Sequence, residues 1–374
     1  MIQRLKEYSK VIFNESVKEW KDSGGNVVGY SCVTTPPEIL LAADILPYRI
    51  RALGNPNTEM ADACLARFNC SFARSCLQLG LDGTYDFLDG IVETNGCDHL
   101  RGMFENWQYN RPLKFFHYLK VPHQTNDDAL KYYIGELLLY KQAVEAHFEV
   151  EITEDRLERA FEMEEKVSAV LRETYEIRRD ENPRISGEEA LCFYLLSTAM
   201  HPQKFLLFAG EALEEVKSRA PLEYRARIML CGAATDEIDL LSEIEGLGGL
   251  IVSDALCFGS RAFFTTPVRV DDRIEILARR VLDGILCPRM YEEFPKRLNF
   301  ILDEVESAKV DGVILVCNKF CDLHGVDNVQ IRLSLEERGI PALQLEKDYG
   351  SGADVGRIRT RVQAFLERIE SRIR

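Results

Sequence analysis

Short apolar runs of strand length alternate with helical patterns at both ends of this chain, and that alternation constrains the fold more than any other feature of it. In residues 1–125, NVVGYSC (26–32) reads as a strand and PPEILLAADIL (36–46) as a helix entered through prolines. Residues 62–80 carry a second helical pattern, and DFLDGIVETNGC (86–97) and LKFFHYL (113–119) each contain a strand. The alternation resumes at RARIMLCGA (225–233), GGLIVSDALCFGSR (248–261), VDGVILVC (310–317) and PALQLE (341–346), with helices between. A helix at GRIRTRVQAFLERIESRIR closes the chain. Strands joined through helices predict an open, parallel α/β sheet. Between the two regions, NDDALKYYIGELLLYKQAVEAHF and TEDRLERAFEMEEKVSAVLRETYEIRR place apolar residues at i, i+3, i+4 and i+7, with Thr153 as a helix start. The expected organisation is an N-terminal α/β domain over 1–125, a helical bridge over 126–222 and a C-terminal α/β domain over 223–374. The length of 374 residues is enough for two such cores.

Lys plus Arg number 46 against 61 Asp plus Glu, a net charge of −15. That balance argues against a general nucleic-acid binder, which neutralises phosphates with basic clusters. It leaves room for a local basic pocket that takes a phosphorylated cofactor such as coenzyme A. No apolar stretch reaches the roughly 18–20 residues that span a membrane. The start, MIQRLKEYSKVIFNESVKEW, is amphipathic and has no signal-peptide core, so a cytoplasmic location is expected. Eleven cysteines then matter, because a reducing compartment disfavours disulfides and an odd number cannot pair completely.

The cysteines recur at strand ends, where open parallel sheets bind ligands. Cys32 ends the first strand, Cys97 follows DGIVETNG, Cys231 ends RIML, Cys257 follows GLIVSDAL, and Cys317 and Cys321 follow DGVILV. Cys70 and Cys287 lie near helix ends, whereas Cys192 reads as core at helical spacing. DGIVETNGCD (89–98) and DGVILVCNKFCD (311–322) form a faint internal echo: Asp-Gly, apolar strand, then Cys-Asp. Thiolates gathered in a cleft between α/β domains would suit a soft metal or an iron–sulfur cluster. Zinc-finger spacings, a ferredoxin-type run and a Cys-x-x-Cys pair are all absent. Spacing alone leaves a cluster and buried structural thiols level, since free cysteine is often plain core.

Other catalytic signals are weak. The sequence has no G-x-S-x-G, H-E-x-x-H or Walker motif, so any ATP hydrolysis falls to a partner. GSGADVG (350–356) has the glycines of a phosphate loop, but an ordinary loop is the better reading. His99 and His324 each neighbour a candidate ligand and suit a supporting hydrogen bond or the surface better than catalysis. Cys317 reads as packing at its strand's end, and Lys319 either faces a cluster's charge or is solvated.

Taken together, six segments resemble the 2-hydroxyacyl-CoA dehydratase and benzoyl-CoA reductase family over nearly the whole chain. They are CVTTPPEILLAADILP (32–47), similar to the family's Cys-Thr-Tyr-Thr-Pro-x-Glu opening with Thr34 in place of Tyr, NCSFARS (69–75), DFLDGIVETNGCDHLR (86–101), DALCFGSR (254–261), KVDGVILVCNKFCD (309–322) and TRVQAFLE (360–367). The resemblance implies two flavodoxin-like, Rossmann-like parallel-sheet domains with an oxygen-sensitive cluster between them. It implies a [4Fe-4S] cluster on three cysteines, best matched by Cys32, Cys97 and Cys321. It further implies a related cluster-bearing subunit as partner, in a homo- or heterodimer, and an ATP-hydrolysing iron–sulfur activator that delivers single electrons. The substrate would be an acyl-CoA thioester undergoing radical reduction or dehydration.

One branch of the family carries instead a double-cubane [8Fe-9S] cluster on six cysteines and reduces small molecules. Cys32, Cys70, Cys97, Cys257, Cys287 and Cys321 are the candidates for it here. The KFCD stretch looks more like the acyl-CoA members, so the acyl-CoA reading is preferred at this point.

Overall fold

The computed structural model describes residues 1–264, 270–350 and 352–373. Among these, eight strands form two parallel sheets. The first contains β1 (Val27–Tyr30), β2 (Leu46–Arg49), β3 (Gly90–Thr94) and β4 (Phe115–Leu119) in the order β2-β1-β3-β4. The second contains β5 (Ala226–Gly232), β6 (Gly249–Ala255), β7 (Gly312–Asn318) and β8 (Ala342–Lys347) in the order β6-β5-β7-β8. Each half therefore winds second, first, third, fourth, with the same crossovers. The inner strands β1, β3, β5 and β7 are buried at every residue. Both of their faces are covered, which is why they read as continuous apolar runs rather than alternating ones.

The internal echo is a structural equivalence. Asp89, just before β3, accepts a hydrogen bond from the Val27 N–H (2.8 Å) and donates its own N–H to the Val27 carbonyl (2.8 Å). Asp311, just before β7, does the same with Arg227, at 2.7 and 2.8 Å. Each aspartate fixes the start of the neighbouring inner strand. The register follows suit, with Gly90 opposite Val28 and Gly312 opposite Ile228.

Two local expectations are corrected. The helix read over 36–46 covers only Glu38–Ala42, and β2 follows it. Asp44 ends that helix in the left-handed region (φ 63°). Pro47 disguises the strand, which tolerates it as a sheet edge. The helix read over 62–80 begins only at Ser71, because Cys70 has extended backbone (ψ 126°) and residues 64–70 form a loop.

The middle helices Asp127–Phe148, Glu154–Arg179, Gly187–Ser197 and Pro202–Ser218 cover the sheets. The first packs on β4, and the second touches both the short helix Glu38–Ala42 and β6. Gly187–Ser197 is buried on all sides, with Phe193, Leu195 and Leu196 fully enclosed, and it starts with a capping box of Ser186 and Glu189. One apolar cluster joins Val27 and Tyr48 of the first sheet, Phe193 of this helix, and Ile228 and Val316 of the second sheet. The loop around GSGADVG carries no phosphate-site geometry in its described part. The Gly350 N–H donates to Glu237 (2.9 Å) and its Cα packs against the Gly54 backbone, while Ser351 lies outside the described residues. Among the described residues no helix is long and apolar enough to cross a membrane.

Candidate metal centre

The carboxyl ends of the two sheets enclose a cavity of about 100 Å³. Cys32, Cys70, Cys97, Cys257, Cys287 and Cys321 all line it. Each arrives by a short route from a strand or helix end. Cys32 lies two residues past β1, in a turn closed by the Thr35 N–H to the Cys32 carbonyl (3.1 Å). Cys97 caps the helix Asp98–Asn110, its Sγ accepting from the Leu100 N–H at 3.5 Å. A Cβ built on the adjacent Gly96 would lie 3.5 Å from Cys32 Sγ, so the Cys32 and Cys97 loops touch. Cys70 caps the helix Ser71–Leu81 and Cys321 caps Asp322–Glu337. The chain turns into Cys321 through Phe320 in the left-handed region (φ 65°), closed by the Cys321 N–H to the Asn318 carbonyl (2.9 Å). Cys257 lies two residues past β6, and Cys287 follows the π-helical turn Arg280–Gly284. Three helix N-termini therefore face the cavity with their positive ends, which favours thiolate over thiol.

The charged side chains in the rest of the wall are all cationic. Arg49, Arg261 and Arg289 line the cavity, all buried, and no Asp or Glu is among its described lining residues. Arg49 donates to the Cys257 carbonyl (2.6 Å) and to the Tyr194 hydroxyl, with its guanidinium 3.9 Å over the Phe258 ring. Arg261 donates to the Gly232 carbonyl (2.7 Å), and Arg289 to the carbonyls of Pro122 (2.9 Å) and Val121 (2.8 Å). The Nε of each has no partner among the described residues. Carbonyl bonds leave the positive charge of each uncancelled, and three such charges around one cavity suit an anionic occupant.

Burial raises the thiol pKa of Cys97 and Cys287. Cys321 is pushed up to about 12, first by its hydrogen bond with Cys317 and then by burial, while a bond from Cys70 acts the other way. Cys70 is raised by its bond to Cys321 and by burial. In the absence of a cation these thiols are neutral, and metal loading releases their protons. Among the described residues no three Cys, His, Asp or Glu side chains converge tightly enough to hold a single metal ion. A cubane spreads its thiolates around a body several ångströms across, so its ligands need not touch. Six thiols and three guanidiniums suit a thiolate-ligated, anionic iron–sulfur cluster.

The comparisons with known proteins bear on the same segments. The family model for the 2-hydroxyglutaryl-CoA dehydratase D-component matches residues 32–369. The chain belongs to that family. It is similar to the (R)-phenyllactyl-CoA dehydratase beta subunit of Clostridium sporogenes, 27% identical with 94% of each chain covered. It is also similar to one of the subunits of benzoyl-CoA reductase from Thauera aromatica, 25% identical over 95% of this chain and 94% of that one. The (R)-2-hydroxyglutaryl-CoA dehydratase beta subunit of Acidaminococcus fermentans is 23% identical over 97% and 98%. These relatives are subunits of dehydratases and a reductase, which supports enzyme activity of the lyase or oxidoreductase type for this D-component family member.

Within this D-component fold the remaining cysteines stay off the cavity wall. Cys76 and Cys192 are buried in helices, Cys231 in β5 and Cys317 in β7, while Cys64 bonds its own turn. Lys319 is half-exposed and pairs with Asp348 at 3.4 Å, pointing to solvent rather than the cavity. His99 bridges the two halves, bonded to Asn69 (2.9 Å) and Asp322 (3.0 Å). His324 is buried in the wall with Nδ1 unpartnered among the described residues, and burial followed by Arg261 and Arg297 holds its pKa well below the usual value, so it is neutral. The three arginines escaped the sequence reading. Arg261 ends the DALCFGSR match and Arg289 follows Cys287 by two residues, a spacing that could have drawn notice. Arg49 ends the strand that Pro47 hid.

A larger cleft of about 1,100 Å³ borders the cavity, sharing Cys70, Cys97, His99, Arg289 and Cys321 with its wall. Arg101, Lys120 and His123 line it as well, together with Asp98, Asp128 and Asp322. The cleft opens the site to solvent.

Proposed function

We propose that the chain is the iron–sulfur subunit of an activator-dependent, low-potential redox enzyme, and that it carries a double-cubane [8Fe-9S] cluster on Cys32, Cys70, Cys97, Cys257, Cys287 and Cys321. The observation that carries this reading is the convergence of six thiols on one cavity whose described wall holds three guanidiniums and no carboxylate. A single [4Fe-4S] cluster on Cys32, Cys97 and Cys321 would leave three further thiols facing the same space without a role. When bound, the cluster supplies one-electron transfer at low potential. The chain's own residues supply ligation, a largely apolar enclosure and fixed positive charge, and the open cleft admits substrate. Without a Walker motif, ATP-driven electron delivery falls to a separate iron–sulfur activator.

An acyl-CoA substrate is the second reading. It is favoured by the names of the relatives, which act on phenyllactyl-CoA, benzoyl-CoA and 2-hydroxyglutaryl-CoA. Arg101, Lys120 and Arg289 along the cleft would suit the phosphates of coenzyme A. Cysteine replacement separates the readings. Under the double-cubane reading, Cys257→Ala and Cys287→Ala lower the iron content of the anaerobically loaded chain by about half, as six-thiolate ligation requires. Unchanged iron in both variants, with Cys97→Ala losing it, would return the site to three-cysteine ligation and the acyl-CoA reading.

A further inference from the structure

Among the described residues, two of the four buried arginines outside the cavity wall are matched with acids. Arg178 meets Asp254 at 2.8 Å and Arg297 meets Asp327 at 2.6 Å. Arg51 and Arg227 bond carbonyls instead, but neither lines the cavity. Arg49, Arg261 and Arg289 differ from all four in placement. Like Arg51 and Arg227 they form no ion pair among the described residues, but they converge on one space from three separate parts of the chain. Arg49 comes from the end of β2, Arg261 from the turn after β6 and Arg289 from the segment after Cys287. Carbonyl bonds hold each guanidinium in place while leaving its charge uncancelled.

From this geometry we infer that Arg49, Arg261 and Arg289 are positioning residues that set the reduction potential of the cluster and hold it by charge, without ligating it. The inference rests on the cluster reading and deepens it. One-electron reduction adds a negative charge to an already anionic group. Fixed positive charge in a low-dielectric wall therefore stabilises the reduced form more than the oxidised form and raises the potential. Arg289 lines both the cavity and the open cleft.

The test uses the full chain loaded with iron and sulfide under anaerobic conditions, with EPR-monitored redox titration of wild type, Arg49→Gln, Arg261→Gln and Arg289→Gln. Each variant is expected to shift the potential downward. A tenfold loss of preference for the reduced form corresponds to 59 mV for a one-electron couple. Arg49→Lys and Arg261→Lys keep the charge and should restore most of the potential. The rise in unfolding temperature on loading should also shrink in the glutamine variants. Arg178→Gln, which breaks a paired charge away from the cavity, should lower stability with and without iron and leave the potential where it was. The three sites are read separately, so one variant that fails to fold leaves two. Wild-type iron content with unchanged potentials in the glutamine variants would overturn the inference alone. A wild-type chain that takes up no iron would overturn the cluster reading beneath it.

Discussion

Cys97, Cys70 and Cys321 stand at helix N-caps, where Ser, Thr, Asp or Asn would serve the backbone better. Neither Cys70 nor Cys321 makes a side-chain cap bond, and that of Cys97 is a long sulfur contact. On the reading proposed above, sulfur stands at these positions as a ligand rather than as a cap. Cys97→Ser is expected to leave the iron-free chain as stable as wild type or better by about 0.5–1 kcal/mol, while the loaded chain loses iron. Denaturant unfolding of the apo chain and iron assay of the loaded one check the pair. A large loss of apo stability with iron unchanged would mark Cys97 as core. Glu93 offers a second residue-scale prediction. It is fully buried, accepts a hydrogen bond from Ser31 (2.7 Å) and leaves its other oxygen unpartnered among the described residues. Burial raises its carboxyl from 4.5 to about 8, with the Ser31 bond opposing. The unfolded chain ionises first, so this group makes apo stability fall as pH rises from 4.5 towards 8. Glu93→Gln should flatten that slope and be most stabilising near the upper end of the window, measured by unfolding at several pH values. At this scale the six cysteines were legible through the family resemblance; placement at strand ends alone also pointed to Cys231 and Cys317, which are buried in their strands. The arginines were not legible, because a sequence does not tell a paired guanidinium from an unpaired one.

Strand ends deliver these residues, and their delivery depends on close backbone contacts. Gly232, at the end of β5, has φ 130°, and a Cβ there would lie 2.0 Å from the Val316 carbonyl oxygen of β7. Its own carbonyl accepts from Arg261. Gly232→Ala should therefore cost about 2–3 kcal/mol through forced separation of β5 and β7, and should also disturb the Arg261 side of the cavity. A variant within about 0.5 kcal/mol of wild type would contradict this strand geometry. Removing the Ser186 cap tests a helix in the same way. Ser186→Ala should cost about 1 kcal/mol, since its hydroxyl and Glu189 satisfy each other's backbone N–H. The apolar inner strands were legible because burial on both faces leaves no polar interruption. β2 was obscured by Pro47, and the loop before Cys70 by helix-compatible residues.

At the scale of the whole molecule, two sheets of the same strand order face each other across the site. The Asp-Gly echo before β3 and β7 made that equivalence readable, because in each half an aspartate must satisfy the start of an inner strand. The approach of Cys32, Cys70 and Cys97 to Cys257, Cys287 and Cys321 was not readable from spacing. It depends on helices that span both sheets and on a shared core, contacts hundreds of residues apart in sequence. On the reading proposed above, this juxtaposition holds one large cluster. Iron and acid-labile sulfide quantification of the anaerobically loaded chain, combined with EPR of the reduced protein, tests it without any assumption about substrate. The double-cubane reading requires about eight iron and nine sulfide per chain, as two bridged cubanes on six thiolates hold. About four iron would contradict the double cubane, and an iron-free chain after anaerobic loading would contradict the metal centre altogether.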